Sequence, residues 1–318
     1  MNSNGMAIIN GNANPALSVS VAKHLEIPLM DTLVGRFSEG EIRVLLKDNC
    51  RGKDVFIVQP TCPPVNENLM ELLIMIDAVR RASAERITAV LPYYGYARQD
   101  RKDQPRVPIT AKLVANMIVA AGANRVLTMD LHAAQIQGFF DIPVDHLYAI
   151  NTICDYFEDK KIPNLCVVSP DVGGIKMARA YAKRLNADLA IVDKRRYSPE
   201  QTEVMHILGP VKSKNVVLVD DICATAGSII EATQALKDNG VKEVYAGISH
   251  GILSGPAIDR IKTCEGLKEL VITDSIPLPS EKSISKIKVV SVAPLLADAI
   301  QRIHEEKSIS ILFDAIRQ

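Results

Sequence analysis

The sequence predicts an α/β protein with two similar domains, each a mostly parallel sheet covered by helices. Short apolar, β-rich segments alternate with helical patterns along the 318 residues, which is the arrangement of parallel sheets with helices on their faces. The clearest helical pattern places Leu69, Leu72, Leu73 and Ile76 on one side of a helix. Acidic residues follow several predicted strands, and such sheets bind ligands at that edge.

The same alternation gives the order of the elements and the domain boundary. The predicted strands are 87–91, 125–129, 165–168, 189–192, 216–219, 243–248 and 270–273. A complete α/β half precedes residues 147–151 and a second half follows them. We therefore expect domains at 1–148 and 149–318, with an extreme C-terminal segment able to pack back on the first domain.

Composition narrows the classes of function. Lys plus Arg and Asp plus Glu both number 37, so no overall positive field is available to hold nucleic acid. The apolar runs are too short to span a membrane, and the first residues lack the pattern of a signal peptide. The six scattered cysteines contain no C-x-x-C pair, which indicates neither a disulfide framework nor a zinc site. These features favour a cytoplasmic protein.

Residues 215–228 carry the most specific functional pattern. The apolar run 216–219 is followed by Asp220 and Asp221, then by a turn of small residues at 224–228 and a helix with Gly240 as its predicted C-cap. Backbone N–H groups in such a turn bind phosphate, and the helix dipole assists them. The two acids beside the turn suit sugar hydroxyls or hydrated Mg2+. A simpler interpretation, that the acids only end a strand and cap a helix, stays open.

Three other polar segments are candidates for nucleotide chemistry. No P-loop and no G-x-G-x-x-G after a strand occur. Residues 98–103, rich in Arg and Lys, are the candidate phosphate contacts, although taken alone they are more typical of a solvated run of charges. His132 follows a predicted strand and, taken alone, is more typical of a structural histidine than of a ligand-binding one. Residues 194–196 precede a polar segment and are either an exposed charged turn or a mobile lid that brings cations to transferring phosphates.

Residues 219–228 resemble the phosphoribosyl-diphosphate loop of type I phosphoribosyltransferase folds. Further motifs resemble the ribose-phosphate pyrophosphokinase family specifically, and the resemblance extends from about residue 8 to Phe313. Those motifs are 37–41, 68–73, 96–102, 130–133, 135–140, 169–171 and 193–196.

This resemblance implies two phosphoribosyltransferase-type domains and Mg2+-dependent transfer of diphosphate from ATP to ribose 5-phosphate, in a homo-oligomer that is expected to be a hexamer. It implies catalytic roles for Lys194 and Arg196. The implied ATP contacts are Phe37, Glu39 and Glu41 of a neighbouring subunit with Arg98, Gln99, Asp103 and His132. The implied ribose 5-phosphate contacts are Asp220, Asp221, Ala224, Thr225, Ala226, Gly227 and Ser228, and the implied Mg2+ ligands are His132 and Asp171.

The chain departs from the family pattern at several positions. Ala224 replaces a usual Asp in the loop, Ser228 replaces a Thr, and Glu39 replaces an Asp. Residues 308–313 resemble an allosteric site of the family, in which Ala134 replaces a serine. Two other functions stay open, a phosphoribosyltransferase that consumes the same activated sugar and a non-catalytic regulatory homologue.

Overall fold

The computed structural model describes residues 5–195 and 204–313, which form two compact units. Unit 1 comprises the chain up to Tyr148 together with Ser275–Pro277 and Val292–Phe313. Unit 2 comprises Ala149–Asp274 and Leu278–Ser291. None of the helices in these described ranges is sufficiently long and apolar to cross a membrane.

Unit 1 is built on a five-stranded sheet whose strands are all parallel. In spatial order the strands are β1 (Met6–Asn10), β4 (Asp54–Val58), β5 (Arg86–Leu91), β6 (Arg125–Met129) and β7 (Val144–Leu147). The helices are α1 (Pro15–His24), α2 (Val65–Arg81), α3 (Thr110–Ala121) and α8 (Ala293–His304). A separate antiparallel hairpin consists of β2 (Thr32–Arg36) and β3 (Ile42–Leu46).

Helix α2 packs on this sheet as its sequence pattern predicts. Leu69, Leu72 and Ile76 are buried in the core of unit 1, and Leu73 packs against it. The hairpin lies against α2 and places Val34 and other inward residues on the same core. A buried helix face therefore also supports the hairpin.

Helix α8 belongs to unit 1, where it packs against α1 and a polar cluster fixes its end beside β4 and β5. Arg86 donates to both carboxylate oxygens of the buried Asp54, and it donates to the Ile303 carbonyl oxygen at 2.9 Å. His304 Nδ1 lies 3.0 Å from Asp54 Oδ2. A buried charge is stable only when it is paired and hydrogen-bonded, so these contacts connect the C-terminal helix to the first sheet.

Unit 2 is built on a seven-stranded sheet in which only β10 is antiparallel to its neighbour among the described strands. In spatial order the strands are β10 (Val204–Leu208), β9 (Asp188–Arg195), β8 (Leu165–Ser169), β11 (Asn215–Cys223), β12 (Glu243–Gly251), β13 (Leu267–Thr273) and β14 (Ile287–Val290). The helices are α4 (Ile150–Asp159), α5 (Ile175–Arg184), α6 (Gly227–Asp238) and α7 (Ala257–Thr263). Both units thus confirm the predicted class of mostly parallel sheets with helices.

Two strands extend further than the sequence predicts. Strand β9 continues through Lys194, which is registered with Met205 of β10, so Lys194 lies in a strand and not in the loop that the sequence indicates. Strand β11 continues through Asp220 and Asp221 to Cys223, because β12 pairs with it as far as Gly251. In both cases a neighbouring strand supplies hydrogen bonds that a local polar sequence does not reveal.

Candidate active site

Three carboxylates lie at the carboxyl ends of the adjacent parallel strands β8 and β11. Asp221 is buried, Asp220 is half-buried, and Asp171 follows β8 as an exposed residue. The Asp221 N–H donates to Asp220 Oδ1 at 2.9 Å. Burial, together with the negative charges of Asp221 and Asp171, raises the pKa of Asp220 to about 8. The carboxylates at this edge of unit 2 can therefore accept hydrogen bonds from hydroxyl groups or bind a cation.

The turn after β11 has the geometry of a phosphate cradle. Ala226 adopts the left-handed conformation with φ of 61°, and α6 begins at the next residue. The turn is fixed from behind because Ala224 O accepts the Ser254 N–H at 2.8 Å. Thr225 and Ser228 are exposed beside the first N–H groups of the helix. Such groups have no partner within the helix and bind anions.

A residue that the sequence interpretation missed also supports this turn. Arg260 of α7 donates from its guanidinium NH1 to the Thr225 carbonyl oxygen at 3.0 Å. A Cβ on Gly227 would lie 3.3 Å from the same nitrogen, so the glycine permits the close approach. The two partners are 35 residues apart, and no local motif around Arg260 indicates the contact. A fixed positive charge therefore lies against the candidate phosphate loop.

The turn that carries Asp171 is held by its own hydrogen bonds. Asp171 Oδ1 accepts the Gly174 N–H at 2.9 Å, and Ser169 Oγ donates to Asp171 O at 2.7 Å. A Cβ on Gly174 would come within 2.6 Å of Ser169 Oγ, so a larger residue would disrupt the turn. The carboxylate is thus fixed in orientation and keeps its second oxygen for another partner.

The cysteine and glycine of this region behave as the sequence indicates. Cys223 is buried, and burial raises the pKa of its thiol to about 12, so it is a packing residue and no nucleophile. Gly240 follows the end of α6 with φ of 79° and donates its N–H to Lys237 O. This left-handed position is typical of a helix C-terminal glycine.

In unit 1 the predicted nucleotide segment projects from a tight turn after β5. Arg98, Gln99 and Asp103 are exposed. Gln99 is anchored to the first turn of α3, because its carbonyl oxygen accepts the Ala111 N–H at 3.1 Å and its side chain bonds Thr110 Oγ1. The segment therefore combines an anchored backbone with side chains that face solvent.

His132 lies in the loop that follows β6 and is exposed. The preceding backbone is constrained, since Asp130 has a positive φ of 39° and the Leu131 N–H donates to His146 Nε2 at 2.9 Å. Gln137 faces the other ring nitrogen of His146 at 3.2 Å. These contacts fix the backbone of the loop that carries His132.

The tip of the β2–β3 hairpin presents an aromatic ring to solvent. Phe37 is 46% exposed, and the Arg43 guanidinium lies 5.6 Å from the ring centroid. Glu39 and Glu41 are also exposed. The hairpin tip therefore presents one apolar ring and two carboxylates to solvent.

The structure thus brings together Asp171, Asp220, Asp221 and the turn 224–228 in unit 2. Lys194 lies in β9, while Arg196 lies outside the described residues. The predicted contacts of unit 1 occupy the hairpin tip, the turn before α3 and the loop after β6.

Comparison with known proteins gives one consistent result. Residues 6–122 match the N-terminal domain of ribose phosphate pyrophosphokinase, and residues 193–314 match the phosphoribosyl synthetase-associated domain. Ribose-phosphate pyrophosphokinase of Caldanaerobacter subterraneus subsp. tengcongensis is 58% identical over 311 residues, covering 98% of each chain. That of Oceanobacillus iheyensis is 55% identical over 309 residues, covering 97% of each chain. The crystal structure of phosphoribosylpyrophosphate synthetase from Mycobacterium smegmatis superposes with a TM-score of 0.89 at 40% identity, covering 95% of this chain and all of that chain.

Proposed function

Since the chain belongs to the ribose-phosphate pyrophosphokinase family, we propose that it transfers the diphosphoryl group of ATP to ribose 5-phosphate. The anomeric hydroxyl attacks the β-phosphorus, the bond from that phosphorus to the α,β-bridging oxygen breaks, and AMP leaves with the oxygen. The product is 5-phosphoribosyl 1-diphosphate, a precursor for nucleotide biosynthesis. The observation that carries the assignment of the sugar site is the acidic strand end beside the phosphate turn of unit 2.

The test is formation of AMP from ATP with and without ribose 5-phosphate. We expect AMP release only when both substrates are present, with one equivalent of 5-phosphoribosyl 1-diphosphate. A phosphoribosyltransferase would consume that product in the presence of a nucleobase and form none of it from ATP. A non-catalytic homologue would bind the substrates without releasing AMP. Either result would contradict the proposal.

In this mechanism the sugar is held by unit 2. Asp220 and Asp221 accept hydrogen bonds from the ribose hydroxyls, and the N–H groups and hydroxyls of residues 224–228 hold the 5-phosphate. Ala224 contributes its backbone and no carboxylate, and Ser228 keeps the hydroxyl of the usual threonine. The two remaining acids therefore carry the recognition of the ribose hydroxyls.

ATP is assigned to exposed groups of unit 1. Arg98 supplies a bidentate donor for phosphate oxygens, and Gln99 and Asp103 flank it. Phe37 would stack on the adenine of a neighbouring subunit, and Glu39 would accept from its amino group. Glu41 is a further proposed contact of ATP. Lys194 and Arg196 neutralise the negative charge that develops on the transferring diphosphate.

The donor set of the site fits Mg2+. Burial and the nearby carboxylates of Asp221 and Asp171 raise the pKa of Asp220, and carboxylate oxygen is the ligand atom that this ion prefers. Within residues 5–195 and 204–313, no group of three or more His, Cys, Asp or Glu side chains is arranged to hold a metal. Asp171 and His132 remain the predicted protein ligands, with phosphate oxygens and water as the others. When bound, the ion would neutralise the phosphates.

We also propose a cytoplasmic location, which the six unpaired cysteines support.

The exposed hairpin tip leads us to propose a homo-oligomer, which is expected to be a hexamer. If Phe37 completes a neighbour's ATP site, isolated monomers have low activity. Light scattering with activity measured over a dilution series tests this prediction. Specific activity should fall as the protein dissociates, whereas a fully active monomer would contradict the shared site.

Loss of the Arg260 contact should weaken ribose 5-phosphate binding. We expect Arg260→Ala to raise the KM for ribose 5-phosphate by about 10-fold, the size of one charged hydrogen bond, because the turn at Thr225 loses its brace. The KM for ATP should change little. Steady-state kinetics with each substrate varied provides the measurement. Lys262→Ala, two residues later in the same helix, is the matched control, and an equal effect there would contradict a specific brace.

The raised pKa of Asp220 predicts how stability depends on pH. The folded protein holds this proton to a pKa of about 8, whereas an unfolded chain releases it near pH ~3.9. The contribution of Asp220 to the free energy of unfolding therefore falls as pH rises between these two values, and it stays constant at higher pH. In Mg2+-free buffer at pH 8.5 we expect Asp220→Asn to raise the thermal unfolding midpoint by about 2–6 °C.

The measurement is thermal unfolding of both proteins from pH 5 to 9. The midpoints should diverge as pH rises, because only the wild type acquires a negative charge that burial and the neighbouring carboxylates disfavour. Asp238→Asn, at an exposed position at the end of α6, should leave the pH dependence unchanged. Parallel curves for wild type and Asp220→Asn would contradict the prediction.

A further inference from the structure

A buried carboxylate on helix α2 has no place in the site described so far. Glu71 is 5% exposed. Its Oε1 accepts the Asn12 N–H at 2.6 Å and the Gln59 side-chain amide at 2.8 Å, and its Oε2 accepts the Asn12 side-chain amide at 2.9 Å. A buried charge is costly unless such bonds compensate it, and an apolar residue would avoid the cost. The three N–H groups that Glu71 binds are therefore the reason for a glutamate at this buried position.

Asn12 connects this carboxylate to the hairpin. Its side-chain amide nitrogen donates to Glu71 Oε2 and also to the Val34 carbonyl oxygen at 3.1 Å, so both of its hydrogens are used. Val34 lies on β2, three residues before Phe37. The orientation of one amide thus links helix α2 to the strand that leads to the tip.

Gln59 holds the other side of the same loop. It is fully buried, and its Oε1 accepts the Ala13 N–H at 3.1 Å while its amide donates to Glu71. A Cβ on Gly11 would lie 2.2 Å from Gln59 Oε1, so only glycine allows this arrangement. Residues on both sides of Asn12 are therefore fixed in one register.

A second contact from α2 to the hairpin is more exposed. Glu67, one helical turn before Glu71, pairs with Arg36, which also donates to Gly40 O at 3.0 Å. Both partners are 48% exposed at their side chains, and such surface pairs contribute little. Of the two links, the buried one is the stronger constraint on the hairpin.

We propose that Glu71 is a positioning residue that acts through Asn12 to hold the hairpin tip, residues 37–41, in its ligand-binding orientation. The inference rests on the proposed function, in which Phe37 contacts the adenine of ATP. A tip that is ordered before ATP arrives loses less conformational freedom on binding, so ATP binds more tightly. Ribose 5-phosphate binds to unit 2 and gains nothing from this order.

The decisive variant is Glu71→Gln. Three N–H donors bind the two carboxylate oxygens of Glu71. A glutamine has only one side-chain oxygen, so its NH2 group necessarily faces at least one of these donors. We expect the KM for ATP to rise about 5–20-fold, the loss of one or two charged hydrogen bonds, while kcat and the KM for ribose 5-phosphate stay within about twofold. Glu67→Gln is the matched control and should change the KM for ATP by less than about twofold.

A double-mutant cycle with Phe37→Ala separates positioning from general stability. If Glu71 acts through the tip, Glu71→Gln should add almost nothing to the KM for ATP once the ring is removed. A lower unfolding temperature with an unchanged KM for ATP would overturn the proposal, and so would fully additive effects. If Glu71→Gln fails to fold, Asn12→Ala removes the link to Val34 O and must give the same pattern.

A second readout needs no turnover. The chain has no tryptophan, so Phe37→Trp places a single fluorescent reporter at the tip. We expect Glu71→Gln in this background to lower the emission anisotropy of the free protein and to weaken ATP binding about 10-fold. Unchanged anisotropy overturns the positioning role alone. Failure of the wild type to form AMP overturns the proposed function alone.

Discussion

Asp220→Asn and Asp221→Asn are each expected to lower kcat/KM for ribose 5-phosphate by about 10–10²-fold with the fold intact. Each substitution keeps the shape of the side chain but replaces an oxygen that accepts a hydrogen bond from a ribose hydroxyl with an N–H group. The lost hydrogen bond and the donor that is left without an acceptor account for a change of this size. The two acids lie at the end of β11, inside a sheet whose pairing does not depend on their charge. Turnover and KM measured for each substrate provide the test.

The control and the stability measurement make this prediction specific. Asp238→Asn removes an exposed carboxylate of the same unit and should leave all kinetic constants unchanged. Asp220→Asn should lose activity and gain stability above pH 8, because burial and the neighbouring carboxylates disfavour the ionised form of Asp220 in the folded protein, whereas the ligand requires its oxygen atoms. Unchanged kinetics in the variant with both substitutions would rule out the assigned role.

Much of the fold follows from local sequence because buried parallel strands are short apolar runs. All seven predicted strands are present, including Arg125–Met129 with its predicted bounds. The prediction omits the hairpin strands β2 and β3, the interior strand β4 of the first sheet, and strands at the edges of both larger sheets. β7 and β14 each have four residues with polar side chains among them, and β10 depends on antiparallel pairing with β9. Such strands are specified by a neighbour and not by their own periodicity.

The candidate site likewise contains residues that the sequence predicts and residues that it does not predict. The acids and turn of β11 are contiguous, so one stretch of sequence predicts them. Arg260 and Glu71 could not be predicted, because each acts on a backbone segment that is distant along the chain. The extension of β9 beyond residue 192 is likewise absent from the prediction, since Lys194 belongs to a polar run and lies in the strand through its pairing with Met205.

Lys194→Ala is expected to lower turnover by about 10²–10³-fold, the effect of removing one preorganised electrostatic donor. Lys194 lies on β9, and its strand position is fixed by pairing with β10, so its backbone needs little reorganisation. Arg196 lies outside the described residues, and its predicted role is the same. Charge develops on the transferring diphosphate, so both cations should act mainly in the transition state.

The kinetic pattern distinguishes this role from simple binding. Arg196→Ala should have a similar effect on kcat, and the variant with both substitutions should lose less than the product of the two effects, because the cations act as a unit. The KM for ATP should move far less, since the nucleotide contacts that we propose include Arg98 and Gln99, which belong to unit 1. Lys212→Ala, an exposed change after β10, is the control. A large loss of ATP affinity with turnover intact would make Lys194 a ground-state contact, because only interactions that strengthen in the transition state raise kcat.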